Sequence, residues 1–247
     1  MKFKAILAQL SFFTIIPTTS ASLEDIAEMS FISPSFIGVI TGILDFLFLL
    51  LVVKFLGGLA TLLLIPFVEV IRGFHHLDGL LDYGDAIMVK DYEKRLKVLH
   101  DVQTGTGAIG MLLVYLFLFI VAVVNLKPSL FIFLSAEVLS RASALTLLSV
   151  MEPIRESFLA KIFHEGLKDK WKLVVLQLQV VLFSSPFLLV EYVFLTLFFY
   201  FLGEKTLRGS SGDYIGFVIT LSFPLYLLIG DRICCQYFIL QLLSTLH

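Results

Sequence analysis

The sequence predicts an all-α protein, a polytopic bundle of membrane helices, on three observations. Of its 247 residues 58% are hydrophobic and only 15% charged, with a mean hydropathy of +0.97, whereas a soluble domain is about half apolar and about a quarter charged. The apolar residues gather in runs such as Phe36 to Phe55 and Thr106 to Val124, matching the roughly 20 residues a helix needs to cross ~30 Å of hydrocarbon. A chain this short could not hide so many apolar helices inside a water-soluble core.

Taken in order, the N-terminus has the outline of a secretory signal peptide: Lys2 and Lys4, an apolar stretch to Ile16, then Ser20-Ala21-Ser22. Pro17 ends that run early and the rest of the chain carries its own membrane segments, so an uncleaved N-terminal helix, in-plane or half-inserted at the interface, is expected. About seven spans follow, near 36–56, 58–73, 104–125, 129–150, 172–189, 190–203 and 214–230. The fifth and sixth come from one run, divided at Ser184-Ser185-Pro186 or near Glu191. The tail after Asp231 either extends the last helix or lies along the membrane surface. A short surface helix is expected over Ala86 to His100, with Glu93 and Lys97 at i,i+4 spacing. No internal repeat or low-complexity segment is visible, so residues 1–247 read as a single integral membrane domain.

Orientation follows from the basic residues. With a cytosolic N-terminus and alternating spans, every lysine and arginine falls inside except Lys54, Lys127, Arg232 and the intra-span Arg141. The positive-inside rule then places residues 74–103, 151–171 and 204–213 on the cytosolic side of the cell membrane. A net charge of −2 makes no electrostatic case for nucleic acid. The two cysteines, Cys234 and Cys235, are adjacent and lack metal-ligand spacing; they read as apolar filler.

The chemistry is concentrated in Arg72-Gly73-Phe74-His75-His76-Leu77-Asp78-Gly79-Leu80-Leu81-Asp82-Tyr83-Gly84-Asp85. Asp78, Asp82 and Asp85 stand at i, i+4 and i+7, on one helix face within roughly 60° of each other. Three like charges in a line repel, and a divalent cation reverses that; Mg2+, which takes carboxylate and phosphate oxygens together, is the natural candidate. A solvated acidic face is the plainer reading, but it does not explain three aspartates on an otherwise apolar helix. Gly79 and Gly84 would let a phosphate approach the backbone. His75 or His76 could donate to a phosphate oxygen or act as general base, or the pair could simply face lipid headgroups. Glu69, upstream in the second span, either joins the acidic site or pairs with Arg72. Asp101 precedes Gly105-Thr106, where a helix start offers free N–H groups to phosphate, although small residues also serve helix packing. Arg141 inside a span needs a partner, and Glu137 at i−4 supplies one or leaves the arginine for phosphate. Asp213 closes a glycine-serine loop at the mouth of the last span, where a plain turn or a metal-side carboxylate would account for it.

Together these residues resemble the cobalamin synthase family (adenosylcobinamide-GDP ribazoletransferase). The family pattern H-L-D-G-L-x-D-x-x-D is met by His76 to Asp85, D-x-x-x-G-T by Asp101 to Thr106, S-R by Ser140-Arg141 and G-x-x-G-D by Gly209 to Asp213. The opening Leu10 to Pro17 is similar to the family's L-S-F-x-T-x-x-P, which speaks against a cleaved leader. Departures are Gln103 where many members have arginine, Ala108 for a glycine, and Ser210-Ser211 within the C-terminal motif. The resemblance implies that a hydroxyl of α-ribazole or its 5′-phosphate attacks the corrinoid-linked phosphorus of adenosylcobinamide-GDP, releasing GMP. The residue reading fits this reaction, with Mg2+ held by Asp78, Asp82 and Asp85 and joined by Glu69, and His76, Asp82 or Asp101 in proton transfer. His75, Gly105, Thr106, Arg141 and Asp213 would then hold phosphate or substrate.

Three other classes fit the sequence less well. A CDP-alcohol phosphotransferase would show a second aspartate set, and a UbiA-like prenyltransferase two aspartate-rich helices; neither is present. A transporter would place its acids at the bilayer midplane on repeat-related helices. Besides its substrates and the lipid bilayer, the expected partners are other enzymes of the cobalamin pathway or a second copy of the chain.

Overall fold

The structure, a computed structural model, describes residues 2–101, 103–124 and 126–244, with side chains through Gly230. Cys234 and Cys235 have side chains outside that description. Among the described residues the chain is helical throughout, and its only strand-like pairing is a bridge between Pro153 and Ser210.

Helix α1 (Lys2–Phe13) buries Ala5, Ala8, Gln9 and Leu10 against the bundle. Next, α2 (Leu23–Met29) starts at Ser22, whose hydroxyl accepts the Asp25 N–H, and leads through a 3-10 turn into α3 (Ser33–Leu56). After Gly57, a 3-10 segment (Gly58–Leu63) and α4 (Leu64–Ile71) return, and α5 (His75–Met88) leaves α4 at 94°. There follow α6 (Tyr92–Val98), α7 (Thr106–Val123), α8 (Leu130–Val150), α9 (Phe158–Leu167), α10 (Lys170–Leu182), α11 (Pro186–Thr206) and α12 (Gly212–Ser244). The tail after Asp231 thus continues the last helix.

The fold is a polytopic helical membrane bundle, but the spans differ from the expected seven. Five helices are long and apolar enough to cross: Leu23–Leu56, α7, α8, α11 and α12 over Gly212–Gly230, with a sixth if α4 and α5 form one bent span. All seven expected segments are helical; two are short. The segment expected at 58–73 is largely 3-10 with an eight-residue α4. That expected at 172–189 is the 13-residue α10, about 20 Å at 1.5 Å per residue. The division falls at Ser184 to Pro186 rather than Glu191, because Ser185 caps α11 and Pro186, with no N–H to lose, begins it. The surface helix expected from Ala86 to His100 is corrected likewise. Helix α5 runs on to Met88, the chain extends at Val89, and α6 starts after Asp91, whose carboxylate accepts the Lys94 N–H at 3.0 Å.

Helix α8 is the most enclosed span, with α3, α9, α10, α11 and α12 packed around it. Its contact with α3 depends on glycine. A Cβ on Gly38 would lie 3.0 Å from the Val138 backbone nitrogen, and one on Gly42 would lie 3.1 Å from the Phe133 carbonyl oxygen. Small residues four apart let two helix backbones approach inside a membrane. Gly38→Leu is therefore expected to destabilise the bundle by about 1–3 kcal/mol, seen as a lower thermal midpoint in detergent; an unchanged midpoint would contradict the close contact.

The segments joining the spans near α5 are mostly helical and tied together. Arg95 donates to the Thr206 carbonyl at 2.6 Å and Tyr92 to that of Leu207 at 3.0 Å, fastening α6 to the end of α11. The Ile154 N–H donates to Ser210 O and the Ser210 N–H to Glu152 O, both at 2.9 Å, joining the approach to α9 with the approach to α12.

Candidate active site

The acidic face is set by how α5 enters and what it leans on. Gly73 and Phe74 both take left-handed conformations, at φ 63° and 60°, and the N–H groups of Gly73 and Phe74 close the turn on Val70 O and Glu69 O at 3.0 Å. Phe74 carries the steric cost of about 1–2 kcal/mol for a non-glycine there; the turn swings α5 across α7 and α12. Asp78 then stands exposed, with Asp82 and Asp85 partly exposed, while Leu80 and Tyr83 are fully buried on the other side.

Glycines allow the close crossings. A Cβ on Gly79 would meet Asp213 Cα at 2.9 Å, and one on Gly84 would meet Ala108 Cα at 3.2 Å. The expectation that these glycines admit a phosphate is thus corrected: the space beside them is filled by α12 and α7. Their crossing brings Asp213 to the acids, so that Asp78, Asp213 and Asp85 all act electrostatically on Asp82, and no basic group is among its influences.

Asp85 has a further job. Its two oxygens accept the N–H groups of Gly105 at 2.6 Å and Ala108 at 2.9 Å, capping α7. Two donors of the helix start at Gly105-Thr106, expected to cradle phosphate, are therefore taken by the protein's own carboxylate. Each oxygen of Asp85 keeps a second lone pair. Asp101 is exposed and accepts the Gln103 N–H at 3.1 Å in the turn before α7. Next to it stands a residue that sequence reasoning passed over: His100, whose Nδ1 lies 3.9 Å from the Asp213 carboxylate. A lone histidine between helices has no spacing signal to announce it.

The two histidines of α5 part company. At about 100° per residue His75 falls within roughly 20° of Asp82, and it is exposed. His76 faces the interior, is 7% exposed, and its Nε2 has no hydrogen-bond partner. Glu69 is drawn into an interior cluster, where it accepts from the Tyr115 hydroxyl and stands 4.0 Å from Arg72. Glu137 accepts from Arg72 at 2.7 Å, from Thr41 at 2.8 Å and from Arg141. Arg72 also lies over the Phe223 ring at 4.4 Å. Asp45 of α3 is buried, acts electrostatically on these groups, and leaves one oxygen unpaired. As the lone acid in an apolar run it carried a sequence signal, since an ionised group inside a membrane is costly.

Arg141 and both histidines also line a cavity of about 410 Å³ between α1, α3, α5, α8, α9 and α12, whose other walls are mainly phenylalanine, leucine and isoleucine. Among the described residues no three acid, histidine or cysteine side chains converge as a ready-made metal cage; the acids line a surface. Magnesium binds through one or two carboxylates, its waters and substrate phosphates, so an acidic surface of this kind suits an ion that arrives with a phosphate.

Five or six membrane-crossing helices with an acid face on α5 define a polytopic membrane protein. A family model described as cobalamin-5-phosphate synthase matches residues 5–230, and the chain belongs to that family. It is 56% identical over 247 residues to the adenosylcobinamide-GDP ribazoletransferase of Sulfolobus acidocaldarius, covering 98% of each chain. It is 45% identical over 254 residues to the enzyme of that name from Saccharolobus islandicus, covering 100% of this chain and 98% of the relative. The Pyrobaculum islandicum protein of the same name is 33% identical over 159 residues, 64% of this chain and 68% of the relative. No solved structure matches.

Proposed function

We propose that the chain transfers the adenosylcobinamide phosphate group of adenosylcobinamide-GDP to α-ribazole or its 5′-phosphate, completing the nucleotide loop of a cobalamin. The observation that carries the reading is the gathering of Asp78, Asp85 and Asp213 around Asp82, in a chain whose relatives bear that name. The hydroxyl oxygen of the acceptor bonds to the corrinoid-linked phosphorus, the bond from that phosphorus to the bridging oxygen breaks, and GMP leaves. The hydroxyl proton passes to His76 or to an aspartate of the face.

Asp78 and Asp82 would hold Mg2+, with Asp85 and Asp213 at its flanks; the bound ion supplies positive charge to the diphosphate and the departing GMP. Asp85 keeps α7 in place beside the site, and His75 lies near enough on the helix face to reach a phosphate oxygen. The bias of the basic residues supports a cytosolic position for this end of the bundle, where a nucleotide-activated substrate is at hand.

GMP release by purified protein in liposomes, given adenosylcobinamide-GDP and α-ribazole phosphate, tests the reading. Release with Mg2+ and its loss on chelation, with a cobalamin product, is expected. No release under any divalent metal from folded protein would move the reading to another membrane phosphotransferase.

A further inference from the structure

We infer that the 410 Å³ cavity seats the nucleoside acceptor, with its base among Phe12, Phe13 and Phe163 and its ribose or phosphate oxygens on Arg141 and His76. The assignment rests on the reaction proposed above and says which of its two substrates enters the bundle.

The walls come first. Phe12 and Phe163 stack with ring centroids 5.7 Å apart, and Phe13 meets Phe163 edge-on at 5.9 Å. An aromatic cluster of this kind, continued by aliphatic side chains of α8 and α12, favours a flat apolar ring system. It offers little to a guanine, whose edge needs several polar partners.

The polar groups come second, and they are few and buried. Arg141 is 3% exposed. Its Nη1 is fixed by the Glu137 carbonyl at 3.0 Å and by the Glu137 carboxylate, which leaves Nε and Nη2 buried with no partner. His76, whose Nε2 is also unpartnered, is another residue of the cavity wall. A buried donor without an acceptor is costly, and the cost is removed by a ligand that carries oxygens, best of all anionic ones. The pocket thus asks for an apolar ring joined to an oxygen-rich or anionic end, which describes a benzimidazole-type nucleoside or its phosphate.

Size decides between the substrates. A volume of about 410 Å³ lies toward the small end of the ~300–1,000 Å³ range of small-molecule pockets. One bicyclic base with its pentose is of that order; a corrin macrocycle with its amide arms is far larger and must stay outside, beside the acid face. His76 and Gly212 are lining residues, and each neighbours that face: His76 opens the helix of Asp78, and Gly212 precedes Asp213. An acceptor seated this way would have its sugar end next to the acid face.

Two cavity-filling variants on facing walls, Ala160→Phe on α9 and Ile219→Phe on α12, test this together with a measurement on the unaltered chain. Each variant is expected to raise the KM for α-ribazole phosphate roughly tenfold or more, the range in which pocket volume discriminates, with the KM for adenosylcobinamide-GDP unchanged. In the unaltered protein, α-ribazole phosphate alone is expected to slow amide hydrogen exchange in α1 and α9, which decides the matter even if a variant fails to fold. An equal rise in both KM values, a rise for adenosylcobinamide-GDP alone, or no change in either overturns the assignment while the reaction stands. So does the absence of protection in α1 and α9 at saturating α-ribazole phosphate, and the cavity is then a place for lipid. Failure of the unaltered protein to release GMP would remove the reaction itself, a result visible before any variant is made.

Discussion

Asp82→Asn is expected to lower turnover by on the order of 10³-fold, the upper range for removal of one electrostatic contact to the transition state, without unfolding the bundle. Asp82 sits at the middle of the acid face and feels Asp78, Asp213 and Asp85 together. It makes no hydrogen bond to the rest of the fold among the described residues, so its charge serves no visible structural purpose. Asparagine keeps the shape and removes one of four mutually repelling charges. The thermal midpoint in detergent should therefore hold or rise, the usual sign of a residue kept for function at some cost in stability. Asp85 provides the contrast. Its charge caps α7 through two N–H groups, so Asp85→Asn should lose both activity and stability. Near-normal GMP release from Asp82→Asn would sink the role given to this face.

Much of this was legible in the sequence, and what was not has physical reasons. The membrane bundle followed from composition and run length. The aspartates were placed on one helix face by their spacing, because i, i+4 and i+7 is a property of the backbone and needs no tertiary information. The count of spans was less secure: α10 and the 3-10 segment before α4 lie in apolar runs, and hydropathy does not report a helix that stops short. The glycines of α5 were misread because a missing side chain leaves room for a phosphate or for another helix, and only the partner distinguishes the two. The helix start at Gly105 was expected to hold phosphate, but two of its N–H groups are taken by Asp85, twenty residues upstream. Phe12, Phe13, Phe163 and His100 acquire meaning only from three-dimensional neighbours. The interior ion cluster shows the same limit. Glu137 was matched to Arg141 one turn away, but its bond to Arg72 from another helix was invisible.

The crossing of α5 and α12 makes Gly79→Ala the second change with a large expected effect. The added Cβ would stand 2.9 Å from Asp213 Cα, and the obstacle is backbone, which cannot swing aside as a side-chain tip does. Helix α12 must therefore give way at its first turn, and Asp213 moves with it. A displacement approaching 1 Å at a reacting centre is worth about 10²-fold in rate, so kcat is expected to fall by that order. The fold is expected to survive, because alanine is a better helix former than glycine by about 1 kcal/mol, offsetting part of the lost packing. Gly110→Ala is the matched control. It makes the same chemical change inside α7, where a Cβ would meet nothing within 4 Å, and its rate should stay at the unaltered level with stability equal or higher. Should Gly79→Ala turn over as fast as Gly110→Ala, Asp213 would not need its present spacing to Asp78 and Asp82, and the site would reduce to the aspartates of α5.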